Sequence, residues 1–288
     1  EISPYKHNAP GGEGPPDFVY SIPLPDSFRG IYRGDNCTAD YVNEVRKVIY
    51  KINDSSKALS AFFVEALMGC GGQIVLPEGF LKKSFELVRK SGGLCIADEV
   101  QIGFGRMGTD FWGFETCGVI PDIVTLGKSI GNGHPLSAVV TTKEIADQFN
   151  NGMEYFNSYG GNPVSCAIGE AVLDVIEDEG LQENAEIVGS YLIEELFKLQ
   201  SKYTFIGQIR GQGLFIGIEL ISNTDTLKPN KTLAAKIVNQ MKDAGILISI
   251  DGPDHNVLKI KPPMVFNLEN ANELVINLKT IFDKNYDS

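Results

Sequence analysis

The chain has 288 residues, 43% of them hydrophobic, with 37 acidic against 25 basic residues and a formal net charge of −12. That length suggests two domains, and the acidic balance without a basic run argues against nucleic acid as a partner, since phosphate binding draws on clustered Lys and Arg. No apolar stretch approaches the roughly 18 residues of a membrane helix. No signal peptide is visible, and five cysteines without close pairing (Cys37, Cys70, Cys95, Cys117, Cys166) suit reduced thiols in an intracellular protein, cytoplasmic or in the mitochondrial matrix.

Residues 1–36 are rich in Pro and Gly and carry no regular period; Arg29, Tyr32 and Arg33 there either face an anion or lie solvated. Thr38 is placed to cap a helix with Tyr41, Val45, Val48, Ile49 and Ile52 on one stripe. A strand over 60–64 ends in a carboxylate, Glu65. The glycines of 69–72 make a flexible turn, and Pro77-Glu78-Gly79 leads into a helix over 79–91 with Phe80, Phe85 and Val88 inward. Strand, helix and strand in alternation predict an α/β fold with a mostly parallel sheet.

The stretch 92–133 carries the chemistry. Two short apolar runs, 94–97 and 120–126, read as buried strands; the first delivers Asp98 and Glu99, the second Gly127-Lys128. Ligands of open α/β sheets bind just beyond the carboxyl ends of the strands. Asp98 and Lys128 therefore read as two sides of one pocket, against the alternative of two solvated loop charges. Gly103-Phe104-Gly105-Arg106-Met107-Gly108 matches the dinucleotide fingerprint, but that motif must open a helix, and 109–115 has no helical period.

A strand over 136–142, a helix over 143–150 and an aromatic, polar loop over 152–159 follow. Asn162 as cap and Pro163 at the first turn then open a long helix, whose start is disposed to bind an anion. From Leu181 the pattern changes to a helix over 181–201, strands over 205–210 and 213–221, a helix over 231–244, strands over 246–250 and 257–261, and a helix over 268–284. This predicts a large domain over 1–180 and a smaller α+β domain over 181–288.

The run from Cys95-Ile96-Ala97-Asp98-Glu99-Val100-Gln101 to Gly108, then Pro121-Asp122-Ile123 and Leu126-Gly127-Lys128, resembles the class III aminotransferases, pyridoxal phosphate (PLP) enzymes of fold type I. Within that family the residues of 2–6, 153–157, 159–167, 211–217, 251–253 and 256–264 are most similar to the ethanolamine-phosphate and phosphohydroxylysine phospho-lyase group. The resemblance implies that Lys128 bonds covalently to PLP and shuttles a proton, and that Asp98 keeps the pyridine nitrogen protonated. It further implies that Val100 packs on the ring, that Gln101 bonds the phenolic oxygen, and that Glu65 lies near the substrate amine. Ser158, where the family has Thr, would reach the PLP phosphate of the other subunit in a homodimer.

Two departures bear on function. Lys259 stands where the amino-acid transaminases place an arginine for a carboxylate, and lysine cannot reproduce that bidentate fork. The family's phosphate cup and ring-stacking aromatic lie N-terminal to anything in this chain. The expectation is a phospho-lyase acting on a small phosphorylated amine, with Lys259 or Arg29 holding its phosphate. The alternatives are a transaminase of the same family, or a cofactor-free remnant that only dimerises.

Overall fold

The computed structural model describes Ile2, His7 and residues 10–286; residues 3–6, part of the resemblance, lie outside the described residues. Helix α1 (Thr38–Asp54) buries Tyr41, Val45, Ile49 and Ile52 of the predicted stripe, while Val48 is only half-buried. It packs on α2 (Phe80–Lys90), whose Phe80, Leu81, Phe85 and Val88 are buried. Thr38 is not the cap of α1: Cys37 takes that position without a side-chain bond. The Thr38 hydroxyl instead donates to the Glu78 carbonyl at 3.0 Å and ties α1 to the turn before α2.

Between these helices run β1 (Ala61–Val64) and a short antiparallel pair, β2 (Leu67–Met68) and β3 (Ile74–Val75). Then come β4 (Leu94–Asp98), β5 (Ile123–Leu126) and β6 (Ala138–Thr141), and the sheet order is β1-β4-β5-β6. β1, β4 and β5 are parallel, as expected, whereas β6 runs antiparallel to β5. The connection over 127–137 is too short for the crossover that a parallel neighbour needs.

β5 begins three residues later than predicted, because Asp122 is spent on holding it to β4. Its carboxylate accepts from the Cys95 N–H at 2.7 Å and its own N–H donates to the Cys95 carbonyl at 2.8 Å.

Helix α3 (Lys143–Phe149) and the exposed loop after it lead to α4 (Pro163–Asp178). As predicted, Asn162 caps α4, accepting from the Ser165 N–H at 2.9 Å. After α5 (Leu181–Lys202) come β7 (Ile206–Gln212), β8 (Phe215–Asn223), β9 (Lys228–Pro229), α6 (Lys231–Asp243), β10 (Ser249–Asp251), β11 (Val257–Ile260) and α7 (Leu268–Tyr286). This second sheet is antiparallel, in the order β10-β11-β8-β7 with β9 on β8.

Two of the hydrophobic cores follow the same division, and a smaller third, with Phe104, Leu126, Ile176 and Leu181, crosses it. One cluster lies entirely within 185–282, including Leu192, Leu196, Ile218, Leu278 and Phe282. A second is built from residues 37–107 with a single visitor, Phe215 from the start of β8.

Candidate active site

The carboxyl ends of β4 and β5 are adjacent, with Asp98 in register with Thr125, so Asp98 and the residues just after Leu126 emerge side by side. Alternation along β4 separates its two terminal carboxylates. Asp98 is half-buried at the rim and accepts from the Val100 N–H at 3.0 Å. Glu99 points the other way, is fully buried, and accepts from the N–H groups of Gly113 and Phe114 at 2.8 and 2.9 Å. Burial pushes Glu99 up to about 7 although those two donors oppose the shift. Of the pair, Asp98 faces the site and Glu99 anchors the loop behind it.

That loop contains the false fingerprint. Its sequel is a 3-10 turn over Gly113–Cys117, not the α-helix that a dinucleotide site requires. Gly105 and Gly108 have φ of +74° and +80° and lie against Gln182 and Glu186 of α5, so these glycines serve close packing. Arg106 between them donates to the Leu214 carbonyl at 3.2 Å and the Pro262 carbonyl at 2.8 Å, linking the loop to the second sheet.

Lys128 opens a 3-10 turn directly after β5 and sits at φ +43°, a region that L-residues enter rarely and mostly at functional positions. Its side chain is exposed. Around it, Glu65 at the end of β1 is influenced by Asp98, Lys128 and Lys259 together, which places all four in one electrostatic neighbourhood. Burial, helped by the negative charge of Asp98, pushes Glu65 up to about 7, against the Gly69 N–H that donates to it at 2.8 Å. Val100 lies against Gly127. Gln101 is buried, and its side-chain oxygen accepts from the Lys259 ammonium at 3.3 Å.

Two expected residues lie apart from this cluster. Arg29 is held by Glu219 at 2.5 Å and Asp254 at 2.8 Å, so carboxylates of the second sheet and its loop engage its guanidinium. Glu219 also pairs with Arg210. Burial alone would raise Glu219, and the two arginines outweigh it and hold the carboxyl below its usual range. Ser158 lies in the loop over 151–161, every residue of which is exposed.

One residue was missed. Lys261 follows β11 two positions beyond Lys259, and both ammonium groups lie over the Phe215 ring, at 5.5 and 5.8 Å from its centroid. Among the described residues Lys261 has no hydrogen-bond or ion-pair partner in the protein. Burial, reinforced by Arg106, Lys259 and Lys128, lowers it to about 7. The signal was present in Lys259-Ile260-Lys261: residues two apart on a strand share a face. Cavities of about 470 and 690 Å³ flank the site, the first lined by Phe104, Arg106, Val172 and Met264, the second by Lys259 and Lys261 with Phe266.

The donor set fits PLP: a lysine amine for its aldehyde, a carboxylate for its ring nitrogen, a branched aliphatic side chain beside them, and a buried amide. All sit on strand ends or tight turns rather than on long loops.

Comparison with known proteins agrees with that geometry. A family model described as aminotransferase class-III matches residues 3–282. The "alanine–glyoxylate aminotransferase 2-like" protein of Drosophila melanogaster is 49% identical over 286 residues, covering 97% of this chain and 58% of that protein. Among solved structures, a phospholyase from Arthrobacter in complex with phosphoethanolamine superposes with a TM-score of 0.89 at 36% identity, over 94% of this chain and 65% of that one. An amine transaminase from an uncultivated Pseudomonas species, in its PLP-bound form, gives a TM-score of 0.82 at 32% identity, over 91% of this chain and 60% of that one. The chain thus spans less than two thirds of the length of each of these relatives. With the family model matched over nearly all of it, and a lysine and a carboxylate at the ends of adjacent parallel strands, this chain belongs to the class III aminotransferase family and has its α/β fold of type I.

Proposed function

We propose that the protein is a PLP-dependent phospho-lyase that eliminates phosphate from a small phosphorylated amine, such as phosphoethanolamine or phosphohydroxylysine. The observation that carries this reading is the pair Lys259 and Lys261. The cation at the transaminase arginine position is a lysine already ion-paired with Asp251 at 2.8 Å, while Lys261 beside it has no acidic partner. Such a site suits a phosphate better than an α-carboxylate. The Arthrobacter phospholyase, crystallised with phosphoethanolamine, supports it.

PLP would be held by Lys128 and Asp98, with Val100 and Gln101 beside the ring and Ser158 reaching from the other subunit; when bound, it supplies an electron sink at the substrate carbon bearing nitrogen. Asp98 keeps a proton on the ring nitrogen, a charge-assisted bond worth roughly 1.5–3 kcal/mol. The Lys128 amine takes the proton from the carbon bearing nitrogen. Inorganic phosphate then leaves the neighbouring carbon with its bonding electrons, and hydrolysis of the enamine product gives an aldehyde and ammonia. Lys261 holds the phosphate throughout, and because burial keeps it near half-charged at neutral pH, it takes up a proton as a dianion binds.

The exposed apolar surface after α3, with Met153, Phe156 and Tyr159 each about 80% exposed (81%, 79%, 83%), supports a homodimer built across the loop that carries Ser158. We also read 1–180 and 181–288 as the large and small domains, in keeping with the two larger cores. The likeness to an amine transaminase supports the second reading, amino transfer to a keto acid. Incubating full-length protein with phosphoethanolamine decides between them: phosphate and ammonia released without a keto acid support the lyase, and turnover strictly dependent on pyruvate or glyoxylate refutes it.

A further inference from the structure

A chain of polar contacts joins the turn after β1 to the second sheet. The Gly69 N–H donates to Glu65, the Gln73 amide donates to the Gly69 carbonyl at 2.9 Å, and the same amide nitrogen donates to Asp251 at 3.0 Å. Asp251 then pairs with Lys259 at 2.8 Å, and Lys259 donates to Gln101 at 3.3 Å. Asp251 and Lys259 lie on neighbouring antiparallel strands in the diagonal relation, since Lys259 faces Ser249 two residues away. Long side chains bridge such diagonal pairs. On its other side Lys259 faces Gly217, and a Cβ there would meet Gln73 at 3.0 Å, so the glycine makes the room in which Gln73 reaches Asp251.

The two ends of this pair are well shielded, with only 15% and 12% of the Lys259 and Asp251 side chains exposed. A shielded carboxylate that accepts from both Gln73 and Lys259 sets the direction of the lysine and cancels its charge. Lys261, on the same face and over the same Phe215 ring, has no such carboxylate.

We infer that Asp251 is a specificity-determining residue: by holding Lys259 against Gln101 it withdraws that cation from the substrate and leaves Lys261 to take the phosphate. The inference rests on the phospho-lyase reading for its biological meaning, but its test does not. Asp251 is a positioning residue here, acting through Lys259. Removing its charge turns Lys259 into an open anion site, and the pocket then accepts carboxylates it now refuses.

The experiment is equilibrium binding of two unreactive anions, inorganic phosphate and acetate, followed by titration calorimetry on the PLP-loaded full-length protein. In Asp251→Asn, acetate affinity is expected to rise about tenfold, equivalent to about 1.4 kcal/mol, and to fall back in Asp251→Asn combined with Lys259→Met. Lys261→Met in the wild-type background is expected to weaken phosphate at least tenfold, an arm that does not depend on how Asp251→Asn folds. Unchanged acetate affinity in Asp251→Asn, a gain that survives loss of Lys259, or phosphate binding unaffected by Lys261→Met would each overturn the inference. Phosphate release from phosphoethanolamine by the wild type is scored separately; its absence refutes the lyase reading, while the anion pattern alone decides the role of Asp251.

Discussion

Replacing Glu65 with Gln tests whether the end of β1 is as dry as its surroundings imply. Glu65 titrates at about 7 instead of 4.5, chiefly because burial penalises its charge. A raised folded-state value means that between pH 4.5 and 7 the native protein keeps a proton the unfolded chain has released. The stabilisation is complete below 4.5 and is lost as pH rises through 7. A rise from 4.5 to about 7 corresponds to about 3 kcal/mol, at about 1.4 kcal/mol per pH unit.

Gln keeps the shape and cannot ionise, so Glu65→Gln is expected to gain on wild type across that window, by about 3 kcal/mol in total. The assay is urea unfolding of the apo protein at pH 5, 6, 7 and 8, followed by circular dichroism, reading the difference between variant and wild type at each pH. Glu99→Gln is the comparison, because Glu99 is pushed to about 7 as well but accepts two backbone N–H bonds. Glu99→Gln turns an amide donor toward one of those N–H groups and should therefore be less stable, relative to wild type, than Glu65→Gln at each pH. If the Glu65→Gln difference is flat from pH 5 to 8, burial does not hold Glu65 protonated and the reasoning fails.

Three further outcomes are expected. Arg210→Met leaves Glu219 buried with only Arg29 to balance it and should cost about 3–5 kcal/mol, seen as a lowered urea midpoint. Gly189→Ala should destabilise α5 even though Ala ordinarily favours a helix by about 1 kcal/mol, because the new methyl would stand 2.3 Å from the Gly213 carbonyl oxygen; a raised melting temperature would contradict this. Changing Tyr155 and Phe156 together to Ser should weaken self-association measured by light scattering while leaving the far-ultraviolet dichroism unchanged, since both rings are exposed (71% and 79%) and Tyr155 rests against the likewise exposed Phe149 ring.

How much of this was legible beforehand depends on the range of the interaction involved. The strands that end in Asp98 and Lys128, the capped start of α4 and the amphipathic stripe of α1 are set by neighbours a few residues away, and the sequence pattern alone determined them. The reversed direction of β6 was within reach too, because the short connection from Leu126 excludes a crossover. The polar partners were not. Arg29 finds Glu219 at 190 residues' separation, Gln73 finds Asp251 at 178, and Lys259 finds Gln101 at 158. No local period encodes such pairs, since they exist only once the second sheet has docked its β8 end, with Phe215, into the first core. For the same reason the sequence could mark Lys259 as an unusual residue at an important position, but only the folded chain decided that its charge is cancelled by Asp251 and that the uncommitted cation is Lys261.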